Sequence, residues 1–288
     1  MVRFLLAAGV WCLVLAAASA QAPAEVRTET DVVFGKGGDR ELKLDLAMPR
    51  DGDGPFPAVV CVHGGGWVGG DRKQMAATIL VLARRGFVAV TPDYRTAPAD
   101  RFPAQLEDCK AAVRWLRANA AKCKVNPDRI GAVGFSAGGH LACLLGVTEK
   151  GDGLEGVGGN PDVSSRVRAV VSFFGPTDLT VKFWGPTAEK ENLVPLLGGT
   201  LADRPEAYRR ASPMTYAGAS APPFLFFHGG ADRTVPPQQS YDLAAKLRAA
   251  GVEARVVTVE GEGHGWRDEK LLNSLAEMVL FFNDKLKP

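Results

Sequence analysis

A serine stands at the centre of a short motif that is bracketed by glycines. Residues 134–138 read Gly-Phe-Ser-Ala-Gly, the G-x-S-x-G pattern in which a serine sits on a sharp strand-to-helix turn. An apolar run, Ile130–Val133, precedes the motif, and a helix-like apolar segment follows it. Because strand, turn and helix come in the order that this geometry requires, we expect Ser136 to be a nucleophile. The alternative is that Ser136 only caps the N-terminus of the helix.

A serine hydroxyl needs a general base, and the base needs an acid that orients it. The chain has four histidines. His63 and His228 lie at predicted strand ends, and His140 lies four residues after Ser136. Only His264 comes late in the chain, on a loop bracketed by glycines. The order serine, acid, histidine therefore favours His264 as the base.

The acid is chosen among carboxylates that follow strands. Asp232 comes shortly after the apolar run at 224–227, and we expect it to hold His264 in one tautomer. Two competitors stay open. Asp178 also follows a predicted strand, and Glu262 lies beside the histidine.

A glycine-rich loop is predicted to bind the oxyanion that the attack creates. HGGGW, residues 63–67, follows an apolar run that ends at Val62. Glycines let backbone N–H groups approach a substrate closely, so we expect an oxyanion hole from Gly65, Gly66 and Ala137. The loop lacks the G-x-x-x-x-G-K-[ST] pattern of a phosphate loop.

Three tryptophans are weaker candidates for substrate contact. They are Trp67, Trp184 and Trp266; for Trp67 a plain core role is almost equally favoured. The chain contains no C-x-x-C and no H-E-x-x-H motif, so neither a metal nor another cofactor is expected.

The elements that position these residues alternate along the chain. Apolar runs at 58–62, 87–90, 130–133, 167–174, 224–227 and 255–259 are separated by predicted helices at 73–85, 103–121, 137–148, 237–250 and 268–286. This alternation predicts an α/β fold with a mostly parallel twisted sheet and helices on both faces. Ligands bind such sheets at the carboxyl ends of the strands, where every candidate above falls.

Two further regions frame this sheet. Residues 26–47 alternate apolar and polar side chains around a turn, which predicts an antiparallel hairpin at the edge. Loop-rich insertions are expected at about 149–166 and 177–222. We interpret the second as a small cap over the site, since long insertions are commonly functional. The alternative is a surface segment that packs back against the core.

The N-terminus has the pattern of an export signal. A positive start is followed by an apolar run, Phe4 to Ala18, and by the A-x-A sequence Ala18-Ser19-Ala20. Cleavage is expected after Ala20, or after Ala22, which leaves 21–288 as one domain and places it in the periplasm or outside the cell. An uncleaved anchor is disfavoured because the run is short for a membrane span.

The composition argues against two classes of binding partner. The formal net charge of +2 is too small to suggest nucleic acid or an anionic membrane surface, and no other stretch is long and apolar enough to span a bilayer. Oligomeric state stays open.

Export permits disulfides, and three pairings of Cys61, Cys109, Cys123 and Cys143 are possible. Cys109 and Cys123 flank one predicted helix and are the favoured pair, although the sequence does not decide whether it forms. Cys61 and Cys143 are expected to be buried apolar residues.

Four blocks that occur in order carry a family resemblance. They are HGGGW (63–67), DYR with a following Ala-Pro (93–98), GFSAGG (134–139) and GGADRTVP (229–236), completed by His264. Over residues 30–286 the chain resembles α/β-hydrolases of the hormone-sensitive-lipase-like and bacterial feruloyl-esterase-associated (BD-FAE-like) group. Residues 155–161 and 174–178 are more similar to the second branch. Ala99 stands directly after Ala97-Pro98, where lipase-branch members often carry an acidic residue.

The resemblance implies the α/β-hydrolase fold and esterases that act on acylated carbohydrates or small carboxylic esters. Together with the motifs, it predicts a secreted serine carboxylesterase for short-chain or aryl esters that works through an acyl-enzyme. A narrower hypothesis is an acetyl or feruloyl ester of plant polysaccharide. Two alternatives stay open: a serine peptidase of the prolyl-oligopeptidase type with the same triad, and a non-catalytic binding protein on a hydrolase scaffold.

Overall fold

One eight-stranded sheet organises the molecule. The computed structural model describes residues 25–182 and 186–287, and within them the strand order is β1-β2-β4-β3-β5-β6-β7-β8. The strands are β1 (Val26–Gly37), β2 (Arg40–Pro49), β3 (Phe56–Val62), β4 (Val88–Pro92), β5 (Val125–Phe135), β6 (Val170–Phe173), β7 (Phe224–Gly229) and β8 (Ala254–Val259).

The sheet is antiparallel at one edge and parallel elsewhere. β2 pairs antiparallel with both β1 and β4, whereas every pairing from β4 through β8 is parallel. β3 lies between β4 and β5. The chain therefore adds β4 on one side of β3 and then β5 on the other, so the direction in which strands are added reverses at β3. Crevices at such a reversal, outside the carboxyl ends of the strands, are where open α/β sheets bind ligands.

Helices cover both faces of the sheet, as the alternation predicted. α1 (Ala76–Ala83) and α9 (Asp268–Leu286) pack on one face. α2 (Ala104–Ala118), α3 (Ala137–Val147) and α8 (Gln238–Ala249) pack on the other. The central strands are apolar on both sides because both sides are buried.

Two strands, β5 and β6, differ most from the sequence prediction. β5 begins at Val125, which pairs with Phe56 ahead of a register shift; the polar residues 126–129 hid this start. β6 is shorter than the apolar run at 167–174. It ends before Phe174, whose φ of 42° lies outside the conformations of a strand.

The second insertion is largely helical. It holds α4 (Pro186–Ala188), a π-helix (Glu189–Leu193), α5 (Val194–Leu197), α6 (Pro205–Ala211) and α7 (Pro213–Tyr216). Leu193, Leu196 and Tyr208 are buried in the same core as α3. Helices of three to seven residues are too short for apolar periodicity to indicate them. The first insertion contains a 3₁₀ turn at Lys150–Asp152. A second 3₁₀ turn, Arg72–Met75, directly precedes α1.

The cysteines do not form the pair that the sequence favoured. Cys61, Cys109, Cys123 and Cys143 are all free and buried. Cys109 lies inside α2 and Cys123 beyond the end of that helix at Ala118, so roughly 13 Å of helical rise lies between Cys109 and the helix end alone. A disulfide needs Cα atoms within about 7 Å.

The proposed signal peptide, residues 1–20, lies outside the described residues. Among those that the structure describes, no helix is both long and apolar enough to cross a membrane.

Candidate active site

Ser136 occupies a sharp turn between β5 and α3. Its φ of 53° is uncommon for a residue with a side chain, and its backbone N–H donates to the Phe173 carbonyl at 2.9 Å. A Cβ at Gly138 would lie 2.2 Å from the Val62 carbonyl oxygen, so the helix approaches β3 too closely for any other residue. The Ser136 side chain makes no capping hydrogen bond to α3, which disfavours the capping alternative.

The structure brings Ser136, His264 and Asp232 into one line. Ser136 Oγ lies 2.8 Å from His264 Nε2, and His264 Nδ1 lies 2.8 Å from Asp232 Oδ2. Because a carboxylate only accepts hydrogen bonds, Nδ1 carries the ring proton. Nε2 is then free to accept the serine hydroxyl proton, the protonation state that a general base needs.

Asp232 is buried and held as an anion. Burial would raise its pKa, but hydrogen bonds from His228, His264 and the Val235 backbone N–H outweigh burial and bring the pKa well below its usual range. Oδ1 accepts the N–H groups of Thr234 and Val235 at 2.8 and 3.0 Å. The carboxylate therefore keeps its charge and its orientation toward His264 across ordinary pH.

Both competing carboxylates are engaged elsewhere. Asp178 Oδ1 accepts the backbone N–H and the hydroxyl of Thr180, at 2.9 and 2.6 Å. Glu262 forms an ion pair with Lys270 at 2.6 Å. Geometry thus selects Asp232 where the sequence left three candidates.

The loop after β3, residues 63–70, brings backbone donors beside Ser136. Gly65 and Gly66 have φ values of 121° and 59°, a region that glycine enters without strain. A Cβ at Gly65 would lie 2.2 Å from the Gly69 carbonyl oxygen. Among the described residues, none accepts a hydrogen bond from the N–H of Gly65, Gly66 or Ala137, so these three groups can meet a ligand.

Tyr94 of the DYR block holds this oxyanion loop, and ion pairs fix its two neighbours. His63 stacks on Tyr94 with ring centroids 4.2 Å apart, and the Tyr94 hydroxyl donates to the His63 carbonyl at 3.1 Å. Arg95 binds Asp108 through two nitrogens at 2.9 and 2.8 Å, while Asp93 pairs with Arg72. Tyr94 therefore contacts the loop directly, while Asp93 and Arg95 hold the segment that carries Tyr94.

The three candidate tryptophans have different outcomes. Trp67 contributes to the wall of a cavity at Ser136, but only 2% of it is exposed and its indole N–H donates to His140. Trp266 is buried against Phe173 and Phe174 and lines neither cavity that reaches Ser136; its indole N–H binds Ser274. Trp184 lies outside the described residues.

Two cavities meet at Ser136 from opposite sides. The cap-side cavity, of about 180 Å³, contains the oxyanion-loop residue Gly66 together with Asn192 and Thr234. The apolar cavity, of about 360 Å³, lies on the α1 and α9 side; its walls include Met75, Phe135, Phe174, Leu271 and Leu275.

Comparisons with known proteins identify the family of this chain. The BD-FAE family model matches residues 44–247. The chain belongs to the BD-FAE family. It is 35% identical to Esterase LipC of Mycobacterium tuberculosis over 80% of this chain and 58% of that one. The BD-FAE chain thus spans little more than half the length of the curated relatives it matches.

Solved structures cover the fold more fully. A truncated carbohydrate esterase from gut microbiota superimposes with a TM-score of 0.82, at 28% identity, over 93% of the BD-FAE chain and 99% of its own. Propionate-bound esterase Est2 of Thermogutta terrifontis follows with a TM-score of 0.75, at 29% identity, over 92% of this chain and 96% of its own. These likenesses establish the α/β-hydrolase fold.

Two residues at the site of this BD-FAE chain were missed from the sequence. Phe174, with its positive φ, packs its ring against His264 at 4.8 Å. Asn192 lies on the π-helix, and its Oδ1 would be 2.2 Å from a Cβ at Gly66. π-helices are frequent at functional sites, but no sequence signal marks one. A phenylalanine at a strand end likewise gives no sign of its backbone angle.

Proposed function

We propose that the protein is a serine hydrolase of carboxylic esters. The observation that carries this proposal is the continuous line from Ser136 Oγ through His264 to the buried Asp232, with both hydrogen bonds at 2.8 Å. The named esterases among its relatives support the same chemistry.

The residues have defined roles in the proposed reaction. Ser136 Oγ attacks the ester carbonyl while His264 Nε2 takes its proton, and Asp232 stabilises the imidazolium that forms. The N–H groups of Gly65, Gly66 and Ala137 bind the oxyanion. His264 then protonates the departing alcohol, and water hydrolyses the acyl-enzyme by the same steps in reverse.

The cavities support small or aryl esters as substrates. Phe174 touches His264 and lines the apolar cavity, so the group that His264 protonates leaves toward that side. The cap-side cavity then holds the acyl group, and its volume of about 180 Å³ suits a short chain.

The narrower substrate and the location are part of the proposal. The carbohydrate esterase among the solved structures supports an acylated carbohydrate as substrate. Of the acetyl and feruloyl esters of plant polysaccharide that the sequence suggested, the cap-side cavity of about 180 Å³ favours the acetyl ester. Export to the periplasm or beyond rests on the sequence of residues 1–20.

The chemistry is tested by labelling and turnover. We expect a fluorophosphonate probe to label the protein, and Ser136→Ala and His264→Ala to lower kcat on p-nitrophenyl acetate by about 10⁴-fold or more. Ser220→Ala, at an exposed serine, is the matched control and should leave both signals intact. An unlabelled wild-type protein would instead favour the non-catalytic binding protein.

The substrate class is tested by two comparisons. Faster cleavage of a peptide anilide than of the nitrophenyl ester would support the peptidase alternative. Among acetyl, butyryl, octanoyl and feruloyl esters, we expect acetyl or butyryl to give the highest kcat/KM. A preference for octanoyl esters would contradict the size of the cap-side cavity.

A further inference from the structure

A second histidine lies beside the nucleophile and has no role in the proposed proton transfer. His140 is on α3, one turn after Ser136, and is fully buried. Its Nε2 lies 2.7 Å from the Ala211 carbonyl oxygen, which can only accept, so Nε2 carries the proton. Nδ1 accepts the indole N–H of Trp67 at 3.1 Å.

These two bonds require a neutral ring. Burial lowers the pKa of His140 to about 4, against the smaller opposing effect of the hydrogen bond to Ala211. At neutral pH the Nδ1 lone pair is therefore always available to Trp67. No charge change is needed for the ring to do this.

Trp67 is the residue that needs holding. It directly follows Gly66 and has a φ of 63°, a strained conformation for a bulky side chain that persists only where its surroundings enforce it. The bond to His140 and the edge-on packing of the two rings, 5.1 Å apart, oppose relaxation. The Trp67 carbonyl is fixed as well, by the Ala97 N–H at 2.9 Å.

His140 also ties this loop to the insertion. Ala211 is the last residue of α6, and the neighbouring Ser212 accepts the Leu179 N–H at 2.8 Å. One imidazole thus joins the nucleophile helix, the oxyanion loop and the insertion.

We propose that His140 is a positioning residue that holds the oxyanion loop through Trp67, so that the N–H groups of Gly65 and Gly66 face the oxyanion. This inference rests on the proposed function. It assigns His140 no contact with substrate.

Two substitutions separate the two bonds. In His140→Asn, the amide oxygen stands near the position of Nδ1 and keeps an acceptor for Trp67. In His140→Gln, the amide nitrogen stands near the position of Nε2 and keeps the donor to Ala211. Asparagine is one methylene smaller than glutamine and leaves the larger cavity, so a merely structural role predicts a loss for His140→Asn at least as large as for His140→Gln.

We expect His140→Gln to lower kcat on p-nitrophenyl acetate by about 10- to 100-fold with little change in KM. A displacement of the oxyanion-binding N–H groups by about 1 Å has an effect of this size on turnover. His140→Asn should retain at least five times more kcat than His140→Gln, at a similar melting temperature. Cys143→Ala, on the same face-covering helix, is the control that should lower the melting temperature without lowering kcat.

Trp67→Phe gives an independent test, since it removes the indole N–H and keeps a ring. It should lower kcat about as much as His140→Gln, and the double variant should lose little more, because both remove one interaction. Equal kcat for the Asn and Gln variants, or additive losses in the double variant, would overturn the inference. A wild-type protein without turnover or labelling would instead refute the proposed function on which it rests.

Discussion

The two loops that converge on Ser136 are built in opposite ways. The oxyanion loop, residues 63–70, is fixed by the buried rings of His63, Trp67 and Tyr94. The histidine loop, residues 261–266, presents a His264 side chain that is 23% exposed. Backbone donors must be in place before charge develops, whereas an imidazole must pass a proton from one oxygen to another. Rigidity is concentrated where the proposed chemistry needs a fixed dipole.

The largest effect on activity is expected when the two loops are compared by replacing one glycine in each. At Gly65 a Cβ would meet the Gly69 carbonyl oxygen at 2.2 Å. Because this oxygen belongs to the backbone, it cannot shift without distorting the loop. A Cβ at Gly263 would have no atom within 4 Å beyond the neighbouring residues of the chain. Gly65→Ala should therefore lower kcat by about 10²–10³-fold, and Gly263→Ala by no more than about threefold. Steady-state kinetics with melting temperatures test this; similar losses in both variants would contradict the contrast.

The next effect concerns stability against pH. The folded pKa of His140, about 4, lies below its ordinary value of 6.5, so the unfolded chain binds the extra proton first. Stability is therefore lost as pH falls from about 6.5 to 4, by about 3 kcal/mol from this residue. Burial lowers the pKa of His63 as well, which adds to the slope.

Denaturant unfolding at pH 7 and pH 4.5 measures this loss. His140→Asn removes the titrating group and should show a shallower loss than wild type. Cys143→Ala removes no group that titrates between pH 4.5 and 7 and should keep the wild-type pH slope. An unchanged pH slope in His140→Asn would show that the buried ring is not its source.

The smallest expected effect is at Trp266, on the histidine loop. Trp266→Phe removes the hydrogen bond to Ser274, found at 3.1 Å, and should cost about 1 kcal/mol, or roughly 2–4 °C in melting temperature. KM for small esters should stay the same because the ring lines neither cavity. A raised KM would restore the substrate-contact role that the sequence suggested for it.

The structure brings the three candidate residues together because each comes within five residues of the end of a parallel strand. Ser136, Asp232 and His264 come after β5, β7 and β8, and parallel strands bring their carboxyl ends to one edge. The choice among Asp178, Asp232 and Glu262 needed three dimensions, since all three fit the chain order. Apolar runs located every parallel strand, although they missed the polar start of β5 at residues 126–129 and made β6 too long.

Other features depended on contacts far along the chain. The two partners of His140 are 73 and 71 residues away, so its type was visible but its role was not. Whether Trp266 faces a cavity or the core is decided by packing against Phe173 and Phe174. The positive φ of Phe174 and the π-helix that carries Asn192 are likewise tertiary outcomes.

The meeting of the two cavities at Ser136 has a consequence for the order of events. With the halves of an ester on opposite sides, the alcohol can depart through the apolar cavity while the acyl group stays where it was bound. The vacated side then admits the second nucleophile. Under the proposed mechanism, an added apolar alcohol would compete there with water, and the same site would then form new esters as well as hydrolyse them.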